Sequence, residues 1–322
     1  QPARECIDGI EIFRAGGRFG VYVCAIFTYL IRLHNHADVI LDIENGIPFF
    51  TPLFSRKPKV LLMHHLHQDQ FLMEMGNVVG RIGRFMERVL VPLAYRDSVI
   101  TAVSESTARR KTATLLHGSK LDIKVIHNGI DHGFYCPGGG KAQRPTVLYL
   151  GRLKRYKRLP RLVALMGRVV EMVPDAELII AGWGDAEDEI AEQVVRSGIG
   201  SSVRMTGRVC EEEKLQLLRR AWVMATPSMN EGWGMTVIEA NACGTPAVAY
   251  RVAGLDEAIV DGENGFLCND DDEYLSALVE LLTDNELRER MSVDAFARAS
   301  HFDWNVTARR TLDVMEEHGG LR

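Results

Sequence analysis

The chain has 322 residues, 46% of them hydrophobic, enough to bury a sizeable core and to fill two domains. Its net charge is −5, yet residues 1–145 hold 18 Lys and Arg against 13 Asp and Glu, a net of +5, which leaves −10 for the remainder. A mild balance with an acidic second half argues against a nucleic-acid binder. The basic first half leaves room for an anionic acceptor or membrane surface, although scattered charge is first of all a solvated face.

Short β-rich runs alternate with helix-length segments in the first half. Residues 10–14 and 38–42 read as strands, with a helix over 20–33 between them. Further strands fall at 60–63 and 98–103, separated by a helix over 78–95 with apolar positions near helical spacing. A helix over 104–117 follows, with Ser104 as its N-cap, and then a short strand over 124–126. His64, His65 and His67 stand just past the strand 60–63. Strand-end histidines serve as packed or surface residues as well as chemical ones, and His-x-x-His on a loop without a paired carboxylate is poor support for a metal. The segment from Asp42, the end of the strand 38–42, through Glu44, Asn45 and Gly46 either shapes a pocket or forms a turn set by Asn-Gly and Ile-Pro. The clearest linker is Pro137-Gly138-Gly139-Gly140-Lys141-Ala142-Gln143-Arg144-Pro145.

The second half has a stricter rhythm. Strands are expected at 146–150, 177–181, 203–206, 223–226, 247–250 and 265–268, with helices at 159–173, 187–197, 211–221, 236–243 and 255–260 between them. Such alternation implies a parallel sheet with helices on both faces and ligands beyond the carboxyl ends of its strands. Helices over 271–283 and 286–299 lead to a last one over 303–317. No G-x-G-x-x-G follows the first strand of either half, which disfavours a nicotinamide-dependent dehydrogenase.

The segment Asn230-Glu231-Gly232-Trp233-Gly234-Met235-Thr236-Val237-Ile238-Glu239 carries the strongest chemical signal. Two glycines ahead of a helix let N–H groups approach a ligand, and the helix N-terminus favours an anion near Gly234, Met235 and Thr236. Glu231 and Glu239 then flank a bound phosphate and are suited to hold hydroxyls. That combination describes a nucleotide sugar. The arrangement resembles the retaining, nucleotide-sugar-dependent glycosyltransferases of family 4, which have the GT-B fold. Their E-x7-E signature matches Glu231 and Glu239, followed by Ala242-Cys243-Gly244-Thr245-Pro246.

The resemblance implies an α/β chain with two Rossmann-like domains facing across a cleft. Residues 1–140 would form the acceptor-side domain, joined by a C-terminal helix over 303–322, and residues 145–302 the donor domain. It implies that Glu231 contacts the donor sugar and Glu239 the ribose, while Arg152 and Lys157 of Gly151-Arg152-Leu153-Lys154-Arg155-Tyr156-Lys157 grip the diphosphate. With no metal or other cofactor required, two fixed cations must neutralise the departing group. Gly182 and Gly184 would let the nucleotide lie against the backbone, or form only a tight turn; Arg208 and Val209 match the base-binding turn. His64 would stand near the transferred sugar, while His65, Glu44, Asn45 and Asn128 would line the acceptor side. His127-Asn128-Gly129-Ile130-Asp131 resembles a junction segment of the family. Family members begin with a strand, glycine-rich loop and helix that this sequence does not show, so an incomplete N-terminal domain with an open sheet edge is expected.

The expected function is transfer of a sugar from a nucleoside-diphosphate sugar to an acceptor hydroxyl on a glycan, lipid-linked or small molecule. A non-catalytic nucleotide-sugar binder and a nucleotide-sugar epimerase stay open as alternatives. The six cysteines are widely spaced without a C-x-x-C pair or zinc spacing, which suits reduced thiols in a cytoplasmic protein. The longest apolar run, 19–31, falls short of the roughly 18–20 residues of a spanning helix, and residues 1–5 are too polar for a signal peptide. A start at Gln is read as a processed or cut chain. The basic segment 81–96, with Arg84 and Arg88 one turn apart, is read first as a solvated helix and second as a peripheral contact with the inner membrane face.

Overall fold

The structure is a computed structural model that describes residues 2–114 and 123–319. Strands β1 (Arg4–Ile7) and β2 (Ile10–Phe13) form an antiparallel hairpin. Asp8-Gly9 turns it with φ of 50° and 82°, the two positive values that a type I′ turn needs. The strand expected at 10–14 therefore pairs with its predecessor instead of joining a parallel sheet, because local turn chemistry outranks the helical crossover. Helix α1 (Gly17–Thr28) follows and widens into a π turn over Tyr29–Leu33.

A four-stranded parallel sheet comes next, in the order β3 (Ile40–Asn45), β4 (Lys59–His65), β5 (Val99–Ala102) and β6 (Ile123–Val125). Both β3 and β4 run past their expected ends, so Glu44, Asn45, His64 and His65 lie within strands and not after them. Asp42 is buried and accepts from the N–H groups of Phe49 (3.1 Å) and Thr51 (3.2 Å) and from the Tyr95 hydroxyl, which folds the Asn45–Thr51 turn back over β3. The helix expected over 78–95 begins at Gln68 as α2 (Gln68–Phe85) and breaks at Gly76 (φ 71°, ψ 177°). It widens over Met86–Leu90 before α3 (Val91–Ala94), where Pro92 has no N–H to continue the regular ladder. Helix α4 (Glu105–Thr114) is capped by Ser104, whose Oγ accepts from the Thr107 N–H at 3.1 Å. The expected end of that helix, at His117, lies outside the described residues.

The second half follows the predicted alternation closely. In chain order it runs β7 (Thr146–Leu150), α5 (Leu159–Met172), β8 (Glu177–Ala181), α6 (Glu187–Ser197), β9 (Val203–Gly207), α7 (Glu211–Arg220) and β10 (Val223–Thr226). It continues through α8 (Met235–Ala242), β11 (Ala247–Tyr250), α9 (Leu255–Ala258), β12 (Gly265–Cys268), α10 (Asp271–Thr283), α11 (Asn285–Ala299) and α12 (Trp304–Gly319). The six strands form one parallel sheet ordered β12-β11-β10-β7-β8-β9. Every residue of β7, β10 and β11 is buried, as a parallel sheet covered on both faces demands. One face packs against Val163, Met166 and Leu278, the other against Leu218, Val237 and Ile238. The acidic run at 270–272 is a helix terminus: Asp270 caps α10 through the N–H groups of Asp272 and Glu273, while Asp271 and Asp272 pair with Arg161 and Arg168.

Helix α12 returns to the first sheet, where Val314 packs with Val60 and Ile126 and Glu317 pairs with Lys124 at 2.5 Å. Gly129 makes this return feasible, since a Cβ there would stand 2.2 Å from the Asp303 carbonyl carbon. Among the described residues no helix is long and apolar enough to cross a membrane, and all six cysteines are free.

Candidate active site at the junction of the two sheets

Two loops of the second half meet where the sheets face each other. The loop after β7 carries Arg152 and Lys157, and the loop after β10 carries Glu231. Lys157 Nζ donates to Glu231 Oε1, joining residues 74 positions apart. Backbone bonds hold both: the Met229 N–H donates to Tyr156 O at 3.0 Å and the Glu231 N–H to Ala253 O at 3.2 Å. Arg152 is exposed, with Nη2 3.4 Å from the Tyr156 hydroxyl. Its neighbour Lys154 is taken up by Asp185 at 2.6 Å and by Glu74 of the first half at 3.1 Å.

Gly234, at φ 81°, leads into α8, with Met235 and Thr236 half-buried at the helix N-terminus. Glu239 lies one side-chain layer deeper and is 8% exposed. Lys214 Nζ reaches its Oε1 at 2.9 Å, while Oε2 is buried without a hydrogen-bond partner among the described residues. Burial raises the Glu239 carboxyl above its ordinary value, and Lys214 opposes that rise.

Gly182 and Gly184 have a structural reason of their own. A Cβ at Gly182 would stand 1.8 Å from Gly151 O, and one at Gly184 2.1 Å from Leu153 O, so these glycines let the β7 and β8 loops cross. Arg208 and Val209 follow β9. Arg208 is exposed and stacks on the half-exposed Trp183, its guanidinium carbon 4.8 Å from the ring centre.

The first half meets this wall through β4. Gly232 sits so close to it that a Cβ would stand 2.1 Å from the His64 carbonyl oxygen. His64 gives this backbone contact, but it is the ring of His65 that reaches across: its Nε2 is 3.4 Å from Asn230 Nδ2 and 3.0 Å from Gln70 Oε1. Burial lowers the His64 imidazole, and burial with the nearby His67, Arg110 and Lys157 pushes His65 down to about 3, against the pull of Gln70. Burial also takes His67 to about 4, aided by Arg152. A cavity of about 330 Å³ opens beside these groups, lined by His67, Gln70 and Arg110 on one side and by Tyr156, Asn230 and Ala253 on the other.

Of the residues expected on the acceptor side, His65 is in place, but Glu44 and Asn45 do not gather here. Glu44 is wholly enclosed in β3, and Asn45 is exposed on the other face of that strand, because the strand continues through both and alternation turns them apart. Asn128 is half-buried at the junction segment, next to His127, whose ring lies 4.3 Å from that of Trp233.

Several residues emerge only from the fold. Arg110 donates to Asn230 Oδ1 across 120 positions. The Ser104 hydroxyl donates to Gly232 O at 2.7 Å. Glu257 accepts from the N–H groups of Ser106 (2.6 Å) and Glu105 (2.8 Å), capping α4 from the opposite half. Burial alone would raise the Glu257 carboxyl, but hydrogen bonds from His127, the Ser106 hydroxyl and these N–H groups hold it at about 2. Asn230 could have been suspected from its place beside Glu231. Arg110, Lys214 and Glu257 carry no local signal.

The profile of a family described as glycosyl transferases group 1 matches residues 138–298, half of the chain. The D-inositol 3-phosphate glycosyltransferase of Corynebacterium efficiens is 32% identical over 232 residues, covering 65% of this chain and 55% of the relative. The glycogen synthase of Mycobacterium tuberculosis H37Rv is 31% identical over 265 residues, covering 79% of this chain and 63% of the relative. The chain thus spans less than two thirds of the length of these relatives. Among solved structures, Anabaena HepE in complex with UDP and glucose superposes with a TM-score of 0.77 at 21% identity, over 92% of this chain and 81% of that one. That likeness concerns the fold, two Rossmann-like α/β units of the GT-B type. With the profile spanning the second sheet and its two site loops, the chain belongs to the group 1 glycosyltransferases.

Proposed function

We propose that the chain transfers a sugar from a nucleoside-diphosphate sugar to an acceptor hydroxyl, with retention at the anomeric carbon and without a metal. The observation that carries this is the meeting of Lys157 and Glu231 at the N-terminus of α8. Arg152, Lys157 and the helix N-terminus would stabilise the departing diphosphate, supplying the positive charge that a metal supplies elsewhere. Release of Lys157 from Glu231 on donor binding frees the carboxylate to orient the sugar. The orphaned Oε2 of Glu239 is an acceptor awaiting a hydroxyl donor, which a ribose provides. With no carboxylate assigned as a covalent nucleophile, attack on the same face assisted by the leaving phosphate agrees with retention.

The base platform is Arg208, Val209 and the neighbouring Trp183. The acceptor would enter the cavity between Arg110, His67 and Tyr156, with His65 in place of His64 as the histidine facing the chemistry. The named relatives act on an inositol phosphate or build glycogen, which supports a polyol or glycan acceptor.

Calorimetric titration with UDP, GDP and ADP, with and without Mg²⁺, tests the donor site. One nucleotide binds without Mg²⁺, and Arg152→Ala weakens it. Failure of all three to bind overturns the assignment.

A further inference from the structure

The helical segment from Val78 to Leu93 presents an outward face that sugar transfer does not use. Val78, Ile82 and Phe85 are 73%, 54% and 54% exposed and spaced four and three residues apart, so they share one side of α2. Leu93, 55% exposed, prolongs the apolar run on α3. Arg81 and Arg88 are exposed beside it, and with Arg84 they border a groove of about 240 Å³ that also takes in Phe85 and Val89.

The inner side of the same segment is fixed. A Cβ at Gly80 would stand 2.5 Å from Phe71 O, and one at Gly83 2.9 Å from the Phe71 ring. Glu87, the one carboxylate between Val78 and Leu93, is buried and accepts from the N–H groups of His67 (2.7 Å) and Gln68 (2.9 Å). The outer face therefore shows apolar side chains and cations with no carboxylate among them.

We propose that this face docks the chain on an anionic lipid bilayer. Val78, Ile82 and Phe85 seat at the boundary between headgroups and acyl chains, while Arg81 and Arg88 meet lipid phosphates. The charge decides the occupant: guanidinium groups flanking an apolar stripe complement a surface that is anionic above and hydrocarbon below. Glu87 ties the same helix to His67 at the junction cavity, so docking sets the bilayer beside the acceptor side of the site.

The test is co-sedimentation of the full chain with vesicles of phosphatidylcholine alone or mixed with phosphatidylglycerol. Wild type, Arg81→Gln/Arg88→Gln and Ile82→Ser/Phe85→Ser are compared, each checked for folding by circular dichroism. Wild type binds the anionic vesicles, and added salt weakens it. Neutralising the arginines costs about fivefold each, roughly 25-fold together, and the serine pair loses binding at low salt as well. The proposal fails if folded wild type ignores anionic vesicles or if either double variant binds like wild type. It fails equally if velocity sedimentation shows a dimer that the serine pair dissolves while wild type binds no vesicles.

Discussion

The two walls of the junction are built in different ways. On the second-half wall, Arg152, Lys157, Glu231 and Thr236 stand on loops or a helix start beyond strands that are buried along their whole length. The sheet positions them, with Arg152 exposed and Lys157 and Glu231 half-buried against each other. On the first-half wall, His65 ends β4 with its ring between Gln70 of its own half and Asn230 of the other, while Asp42 and Glu44 stay enclosed within β3 behind it. A wall of loops past strand ends is formed by its own sheet. The first-half wall keeps most of its polar groups paired within its own half and meets the other half through His65 and Asn230.

If the second wall works alone, losing its cation is the most damaging change. Lys157→Ala should lower kcat on the order of 10²–10³-fold and weaken nucleotide binding, because a preorganised charge facing the departing group is lost. Steady-state kinetics with calorimetry would read both, and an unchanged kcat would remove Lys157 from the site.

Gly232→Val addresses the meeting of the walls. Its Cβ would stand 2.1 Å from a backbone carbonyl, which cannot move aside as a side chain can. Transfer should fall by about 10²-fold through misplacement, while nucleotide affinity stays within roughly threefold. Equal losses in both would mean that the walls are not separable.

A smaller effect is expected at Glu239. Glu239→Gln keeps the shape but removes the charge that holds Lys214, and donor affinity should fall about tenfold.

Glu257 tests the docking of the halves by pH. Its carboxyl is ordinarily near 4.5 and lies at about 2 when docked, so the docked form binds fewer protons. Docking is therefore fully stabilised above about pH 4.5 and weakens as pH falls toward 2. Asp256 lies beside it, and Arg298, which donates to the Glu257 carbonyl, keeps its charge throughout. Solvent screening limits the effect to under ~1 kcal/mol. Trp233 fluorescence, followed downward in pH, should report it in wild type and not in Glu257→Gln.

The mildest test concerns His65 and His67. Their lowered values favour the neutral rings, a contribution present above the ordinary 6.5 and lost as pH falls toward 4 and 3. Their NMR ring signals should stay flat between about pH 5 and 8, and a titration there would place the first wall in water.

The order of elements in the second half was legible because its signals are local. Continuous apolar runs and a strict alternation of strand and helix each need only a few neighbouring residues. The loops that hold Arg152, Lys157 and Glu231, and the helix that holds Glu239, were legible for the same reason. The first half was harder: Asp8-Gly9 made a hairpin where a crossover strand was expected, and β3 and β4 ran on through Asn45 and His65.

By itself, the sequence determined the alternating α/β architecture and which loops carry charge at the ends of strands, since backbone propensity and side-chain periodicity act within one element. Only the tertiary structure decided that Lys157 meets Glu231, that Lys214 holds Glu239, that Arg110 reaches Asn230 and that Glu257 caps α4. Those pairs depend on how two sheets and their helices pack, and close packing brings together residues that nothing in their own neighbourhoods marks as partners.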